Sequence, residues 1–314
     1  MSLISLSSNV LRAVKYEPVV RRAISRSKLP NTSPADWFSG IDDETWLWMH
    51  VSGRIRSRQK IASLIPGLPP VSVQENFTGS AGSSTLHEGF LAYQLFKRYY
   101  EAHVGPIEDS RGILDFGCGW GRIIRFFLKD VRPEKLTGVD QVEKAIQRCR
   151  ETNKWCNFKF IEPYPPVPLA SESFDLIYLY SVFSHLPEDM HWDLLKEFDR
   201  LLRPGGMLIV TTRRRDFIEW CRDLREDPAL DEKPDFIKMS AKAFTDTDAT
   251  FSAYDDGKFC YHNYGHTDRW SFWGEACIPK AYVEKRWTEI FDICDYMDDG
   301  GVCPQNLIVA RKRM

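Results

Sequence analysis

The middle of the chain repeats one pattern, in which a short apolar run ends in a polar or acidic residue and is followed by a stretch of helical length. Short apolar runs predict strands, and apolar positions that recur every three or four residues predict helices. Ser173–Ser181 is almost continuously apolar, as is typical of a central parallel strand covered on both faces. The alternation predicts an α/β fold with a parallel sheet. The predicted strands are Ile113–Asp115, Lys135–Asp140, Phe158–Ile161, Ser173–Ser181 and Met207–Thr212, and the predicted helices are Phe90–Glu101, one that opens at Ile123, Val142–Asn153 and Met190–Leu202.

The turn after the first predicted strand carries the strongest chemical signal in the chain. Three glycines alternate through it at Gly117, Gly119 and Gly121, where the backbone can adopt unusual dihedral angles and approach a ligand closely. The preceding carboxylate, Asp115, would repel a pyrophosphate but suit a cationic amino-acid ligand, which favours S-adenosylmethionine (SAM). An ordinary strand–turn–helix corner and a nicotinamide or flavin turn are the alternatives. Asp140, which ends the second strand, is placed to accept ribose hydroxyls.

These motifs together resemble those of the class I SAM-dependent methyltransferases. The resemblance covers residues 113–212 and the C-terminus, and it implies a Rossmann-like, seven-stranded, mostly parallel sheet with an antiparallel last strand and helices on both faces. Phe291–Met297 and Gln305–Arg311 fit the terminal hairpin of such a sheet. The segments that carry the resemblance are Leu114–Gly121, Gly138–Asp140, Ser173–Tyr178, Ser181–Leu186 and Leu202–Gly206.

The resemblance also implies which residues hold SAM. Gly117 and Gly119 would contact its methionine part on either side of Cys118, with Asp115 beneath the ammonium group. The other implied cofactor residues are Asp140 at the ribose, Gln141 beside the adenine, and Ser181 after the fourth strand.

The segment after the third strand departs from the family pattern. A proline, Pro163, stands where many relatives place an acid that binds the adenine amine. Either Glu162 replaces that acid, or the adenine is held by the backbone and by stacking on Tyr164.

A glycine- and serine-rich stretch, Phe77–Thr85, precedes the predicted helix Phe90–Glu101. Relatives often place such a segment over the cofactor, so Phe77, Thr78 and Gly79 are candidate lid residues. The alternative is a surface loop that caps the following helix through Thr85.

Methyl transfer to a hydroxyl requires removal of the acceptor's proton, and His185 is the best-placed base. It follows the fourth strand, at the edge where ligands bind in such sheets. The alternative for His185 is a packing or helix-capping role; His191 is expected to be exposed on a helix, and Glu188 either orients the acceptor or compensates a helix dipole. If His185 is structural, the base would be His262, His266 or Tyr264.

Three further features outline the domain organisation. Residues 1–75 form a predicted helical accessory segment, residues 76–314 the methyltransferase domain, and residues 213–281 an aromatic-rich insertion after the fifth strand that would build the acceptor pocket, or else a satellite core. The first 29 residues are basic and amphipathic, which indicates packing on the enzyme or on a partner protein, or contact with an anionic membrane surface, or an organelle-targeting peptide. Oligomeric state is not indicated.

The composition narrows the range of possible functions. The net charge of −2 argues against a dedicated nucleic-acid surface. The 8 cysteines are scattered without metal-ligand or disulfide spacing, which predicts a metal-free protein in the cytoplasm, and no apolar run approaches membrane-spanning length. We therefore expect a SAM-dependent O-methyltransferase for a small-molecule or glycan acceptor; a protein or nucleic-acid methyltransferase and a non-catalytic partner subunit of the same fold are the alternatives.

Overall fold

The computed structural model describes residues 16–265 and 272–314. Seven strands of this part of the chain form one sheet in the order β3-β2-β1-β4-β5-β9-β8, and β6 and β7 form a separate hairpin. The strands are β1 (Ile113–Phe116), β2 (Leu136–Asp140), β3 (Asn157–Phe160), β4 (Phe174–Leu179), β5 (Leu202–Thr212), β6 (Cys260–Asn263), β7 (Gly274–Cys277), β8 (Phe291–Met297) and β9 (Asn306–Lys312).

The pairing directions confirm the predicted sheet. Strand β4 pairs in parallel with β1 and β5, and β2 pairs in parallel with β3. The last strand, β9, is antiparallel to both β5 and β8. Every residue of β4 is buried, as its continuous apolar run requires of a strand covered on both faces. The five predicted parallel strands and the terminal hairpin are all present, with ends that differ by a few residues.

Helices connect the strands and precede them. Residues 16–26 are helical and form α1. The remaining α-helices of the described residues are α2 (Pro34–Phe38), α3 (Asp43–Val51), α4 (Gly53–Arg56), α5 (Gln59–Ala62), α6 (Val71–Thr78), α7 (Ser83–His103), α8 (Glu143–Thr152), α9 (Glu188–Leu201), α10 (Asp216–Glu226), α11 (Asp235–Ser240), α12 (Thr247–Asp255) and α13 (Lys280–Arg286). Short 3-10 helices lie at Ile107–Asp109, Ile124–Lys129, Pro133–Lys135, Phe183–His185, Leu230–Glu232 and Trp287–Glu289. None of these helices has the combined length and apolar character that crossing a membrane requires.

The segment after the glycine turn differs from its prediction. An α-helix was expected to open at Ile123, but Ile124–Lys129 is a 3-10 helix. In an α-helix the carbonyl of Phe126 would accept from the N–H of Asp130. Here it accepts from the indole Nε1 of Trp46 at 2.9 Å, and the N–H of Asp130 donates to Phe127 at 3.0 Å. The long-range bond from Trp46 thus occupies a carbonyl that the α-helix would use.

The chain divides into two compact units among the described residues. Residues 16–110 and 118–160 form the first unit, and residues 111–117 with the described part of 161–314 form the second. The first unit contains three buried aromatic residues before the sheet, Trp37, Phe38 and Trp46. The division into an accessory segment 1–75, a methyltransferase domain 76–314 and an acceptor-binding insertion 213–281 stays a prediction, and so does the role of residues 1–15, which lie outside the described residues.

Candidate functional site

The glycine turn and the acid of the second strand meet within the first unit. Gly119 adopts a left-handed conformation (φ +53°), and its backbone N–H donates to Oδ2 of Asp140 at 2.8 Å. Oδ1 of Asp140 accepts from the N–H of Val142, also at 2.8 Å. Burial raises the pKa of Asp140, although these backbone hydrogen bonds act in the opposite direction. The carboxylate therefore fixes the turn and presents buried, oriented oxygens at the end of β2.

Beside this turn, the packing around Gly138 leaves no space for a side chain. A Cβ at Gly138 would lie 2.8 Å from the Phe158 ring and 3.1 Å from the Cys118 sulfur. The thiol of Cys149 donates to the carbonyl of Gly119 at 3.1 Å, a contact that no sequence motif indicated. Cys118 thus packs against the turn rather than opening into solvent, and it is buried. Gln141, which follows Asp140, is half-buried.

The three candidate lid residues do not lie in a loop as expected. Phe77 and Thr78 end helix α6, and Gly79 caps it with φ +69°. The Phe77 ring is 40% exposed, and a Cβ at Gly119 would lie 3.2 Å from it, so this ring borders the glycine turn. The hydroxyl of Thr78 is instead bonded to neighbouring backbone carbonyls. The lid role of these residues stays a prediction, whereas the capping role of Thr85 was wrong, because Thr85 is buried inside helix α7 and does not cap it.

The second unit carries the remaining predicted cofactor residues. Asp115 is buried at the end of β1, and Gly117 follows with φ +74°. A Cβ at Gly117 would lie 2.4 Å from a methyl carbon of Val182. This close approach explains the glycine, since a side chain would be both strained and overpacked.

Ser181 lies in a strained conformation beside the end of β4. Its φ of +59° is left-handed, which is uncommon for a residue with a side chain. Its N–H donates to Oγ1 of Thr211 at 2.7 Å, and its Oγ accepts from the amide of Gln305 at 2.9 Å. Strain of this kind persists where surrounding contacts determine it, commonly at functional sites. The sequence missed Gln305, which reads only as the start of a strand.

His185 ends a 3-10 helix in the second unit and is held on two sides. Its Nδ1 lies 2.8 Å from the carbonyl oxygen of Gly274, and its ring stacks on Trp273 with centroids 4.3 Å apart. Because a carbonyl only accepts, Nδ1 carries the proton and Nε2 keeps a lone pair. No hydrogen bond reaches Nε2 from the described residues. Burial lowers the pKa of His185, so the ring is neutral near pH 7.

A buried carboxylate lies beside His185 that sequence reasoning missed. Oε2 of Glu275 is 3.5 Å from Nδ1 of His185 and 2.9 Å from Nε of Arg213. Tyr264 donates its hydroxyl to Oε1 of Glu275 at 2.7 Å. Burial alone would raise the pKa of Glu275, but the charge of Arg213 and the hydrogen bonds from Arg213 and Tyr264 lower the pKa overall. Glu275 lies in the short strand β7, where an acid gives no local signal of its role.

The other candidate bases are less well placed. His262 lies on β6, half-buried, with its ring 6.3 Å from Phe244 and 5.9 Å from Tyr264, and burial lowers its pKa. The hydroxyl of Tyr264 is engaged by Glu275. His266 lies outside the described residues.

Helix α9 carries two residues that the sequence analysis singled out, His191 and Glu188. The prediction that His191 is exposed was wrong: it is 1% exposed, its Nε2 lies 3.0 Å from the carbonyl of Phe183, and burial lowers its pKa to about 3. The helix carries it on its apolar face, so it is a packing residue. Glu188, at the first turn of α9, accepts a hydrogen bond from the Tyr282 hydroxyl.

Glu162 and Tyr164 are both exposed in the second unit. Tyr164 is 54% exposed and packs edge-on against Phe272 with ring centroids 5.7 Å apart. A ring with this much free surface is available for stacking, whereas Glu162 has no contact here that distinguishes it from a surface acid.

Comparison with known proteins identifies the central segment. Residues 113–206 match the family model described as a methyltransferase domain. The fatty-acid O-methyltransferase of Mycolicibacterium smegmatis is 31% identical over 140 residues, which are 43% of this chain and 50% of that protein. The trans-aconitate 2-methyltransferase of an Azoarcus species is 29% identical over 126 residues, 39% of this chain and 47% of that protein.

A third relative acts on a nucleic acid. A tRNA N(3)-cytidine methyltransferase of Gallus gallus is 32% identical over 135 residues, which are 38% of this chain and 35% of that protein. The chain spans half or less of the length of these three curated relatives. The family model covers the segment with the glycine turn, and the names of the relatives differ in their acceptors.

Proposed function

Residues 113–206 belong to the class I SAM-dependent methyltransferase family, and from that premise we propose that this protein methylates a hydroxyl group of a small-molecule or glycan acceptor. Its cofactor is S-adenosylmethionine, which supplies an activated methyl group on its sulfonium when bound. The observation that carries the proposal is the state of His185, a neutral imidazole with Nδ1 held by Gly274 and Nε2 free of hydrogen bonds from the described residues.

The residues of the glycine turn fit this cofactor. Gly117 and Gly119 have positive φ angles and no side chains, so the backbone of the turn is of the kind that a ligand can approach closely. We propose that Asp115 faces the amino-acid end of SAM and that Asp140 holds the ribose hydroxyls. The remaining proposed contacts are Cys118, Gln141, Glu162, Tyr164, Ser181, Phe77, Thr78 and Gly79.

His185 would act on the acceptor. Its Nε2 lone pair would take the proton of the acceptor hydroxyl as that oxygen bonds to the methyl group and the bond between methyl and sulfur breaks. The hydrogen bond from Nδ1 to Gly274 keeps the ring in one orientation. Stacking on Trp273 restricts rotation of the ring. Holding base and acceptor in line is the main task of the protein, because the methyl donor is already reactive.

The relatives support an O-methyl acceptor only in part. The Mycolicibacterium smegmatis relative is named as an O-methyltransferase, whereas the Gallus gallus relative is named for a tRNA cytidine. A net charge of −2 favours a small or neutral acceptor over a polyanion. A cytoplasmic location, absence of a metal, and contact of the basic N-terminus with a membrane surface or partner protein stay predictions.

The test is a transfer assay with methyl-labelled SAM and four acceptor panels: fatty and carboxylic acids, hydroxylated metabolites and sugars, tRNA, and proteins. Label should enter a hydroxyl oxygen of a small-molecule or glycan acceptor; label only on a carboxylate, which is already ionised and needs no base, would contradict the proposal. With that acceptor, His185→Ala should lower kcat by about 10² to 10⁴-fold, the usual size of a lost general base, while SAM affinity is retained. His103→Ala, an exposed histidine, is the control. Label found only in tRNA or protein, or full turnover by His185→Ala, would overturn the proposal.

A further inference from the structure

The environment of His185 contains a fixed negative charge whose role the motifs do not account for. Glu275 is 2% exposed, and its Oε2 lies 3.5 Å from Nδ1 of His185. The hydrogen bond of Nδ1 goes to the carbonyl of Gly274 at 2.8 Å, and not to this carboxylate. The negative charge of Glu275 is therefore close enough to interact with His185. The orientation of the neutral ring is already set by its hydrogen bond to the backbone carbonyl.

Glu275 is held so that it remains ionised. Arg213 donates to both of its oxygens, from Nε at 2.9 Å and from Nη2 at 3.3 Å. Tyr264 donates at 2.7 Å, and the hydroxyl of Ser240 lies 3.3 Å from Oε1. Hydrogen bonds to the charged form favour that form, so the carboxylate does not take up a proton over the pH range in which an imidazole titrates.

The guanidinium of Arg213 is likewise held in place. It is partly buried, lies over the Phe217 ring at 4.3 Å, and forms its ion pair with Glu275. Among the described residues, the charged groups that act on His185 are Glu275, which favours the imidazolium, and Arg213, which opposes it. Oε2 of Glu275 lies 3.5 Å from Nδ1, and a proton gained at Nε2 would make this contact a charged pair.

We propose that Glu275 is a positioning residue for the reaction, with the specific task of stabilising the imidazolium of His185 that forms when the acceptor hydroxyl loses its proton. This inference rests on the proposed role of His185 as the base. Glu275 touches neither acceptor nor cofactor in this scheme; the proton moves from the acceptor oxygen to Nε2, and the carboxylate stays ionised throughout.

The experiment compares the pH dependence of kcat/KM in the wild type, Glu275→Gln and Tyr264→Phe. Loss of the carboxylate charge should lower kcat about 10- to 100-fold and move the acid limb of the profile to lower pH, because the negative charge that raises the pKa of His185 is gone. Affinity for SAM should change less than about twofold. Tyr264→Phe removes one hydrogen bond to Glu275 but keeps the charge, so its acid limb should stay at the wild-type pH.

Glu275→Asp guards against the failure of Glu275→Gln to fold. It keeps the charge and should keep the acid limb, with a lower kcat because the carboxylate is displaced. The inference would be overturned if the acid limb of Glu275→Gln stays at the wild-type pH. It would also be overturned if the limb of Glu275→Asp moves as far as that of Glu275→Gln. If folded Glu275→Gln cannot be obtained, a limb displaced to lower pH in Glu275→Asp overturns it by itself. His185→Ala separates the two hypotheses. Full turnover by that variant would reject the role of His185 as the base. An inactive His185→Ala together with an unchanged acid limb in Glu275→Gln would reject only the role of Glu275.

Discussion

The backbone N–H of Gly119 donates a hydrogen bond to the buried side chain of Asp140 across 2.8 Å. The residue that should hold the ribose therefore also fixes the turn that should approach the methionine part of SAM. Substitution of Asp140 should consequently affect the cofactor site in two ways, through a lost acceptor and through a loosened turn.

For Asp140→Asn we expect SAM affinity to fall about 10- to 100-fold, since hydrogen bonds to a charged group contribute about 1.5 to 3 kcal/mol each. Titration calorimetry with the folded variant measures this directly. Glu143→Gln, an exposed acid at the start of α8, is the matched control and should bind as the wild type does. Equal affinity in both variants would contradict the ribose role of Asp140.

For Gly117→Ala we expect a loss of stability of about 2 to 5 kcal/mol, from left-handed strain of about 1 to 2 and overpacking of about 1 to 3 kcal/mol. The new Cβ would lie 2.4 Å from Val182. Gly40→Ala is matched, because Gly40 has a similar φ of +71° but nothing within 4 Å of its Cβ position. Urea denaturation should show only the strain contribution for Gly40→Ala, and equal losses would show that the approach to Val182 is immaterial.

The wild-type pH profile should have an acid limb that belongs to His185. Burial lowers the pKa of this imidazole below its usual 6.5, so the ring should stay neutral and active at pH 7. As the pH falls through the lowered pKa, protonation should remove the base and kcat/KM should drop about tenfold per pH unit. A limb centred above pH 6.5 would mean that a different group controls the rate.

For Glu275→Gln we expect a large loss of folding stability, about 3 to 5 kcal/mol, because the substitution removes the buried carboxylate that pairs with the partly buried charge of Arg213. The pH dependence of this loss follows from the lowered pKa of Glu275. The ionised carboxylate stabilises the folded protein fully above its usual pKa of 4.5, and this stabilisation disappears as the pH falls through the lower pKa of the folded state. Thermal unfolding of both proteins from pH 7 to pH 3 should therefore converge at the acid end.

The exposed pair of Arg215 with Asp255 provides the comparison for that experiment. Both oxygens of Asp255 accept from Arg215 at 2.7 Å, but the side chains are 46% and 54% exposed. Solvent screening should leave Asp255→Asn close to the wild type in stability. A loss as large as that of Glu275→Gln would mean that burial is not what makes the Glu275 pair important.

Metal removal should leave the enzyme unchanged. The described residues contain no group of three or more histidine, cysteine, aspartate or glutamate side chains placed to hold a metal ion. Dialysis against EDTA should therefore preserve turnover with the identified acceptor, and elemental analysis should find less than stoichiometric zinc. Activity lost to EDTA and restored by a divalent cation would contradict this prediction.

The sequence by itself determined the sheet and the cofactor class, and it predicted candidate cofactor residues around the glycine turn. Alternation of apolar and polar positions identified the strands, and the spacing of Asp115, Gly117, Gly119 and Asp140 identified the cofactor class, because these features depend on residues close together in the chain. The same local reasoning placed His185 at the carboxyl edge of the sheet, since the end of a predicted strand fixes where the next residues begin.

Only the tertiary structure decided how His185 is held and which nearby residues are structural. Glu275 and Gly274 reach His185 from a strand far along the chain, and no local pattern distinguishes an acid in a short strand from a solvated one. His191 was misread for the same reason, since its exposure depends on what the helix packs against. Burial and pairing between distant segments come from packing, in which each side chain is placed by partners that its own neighbourhood in sequence does not specify.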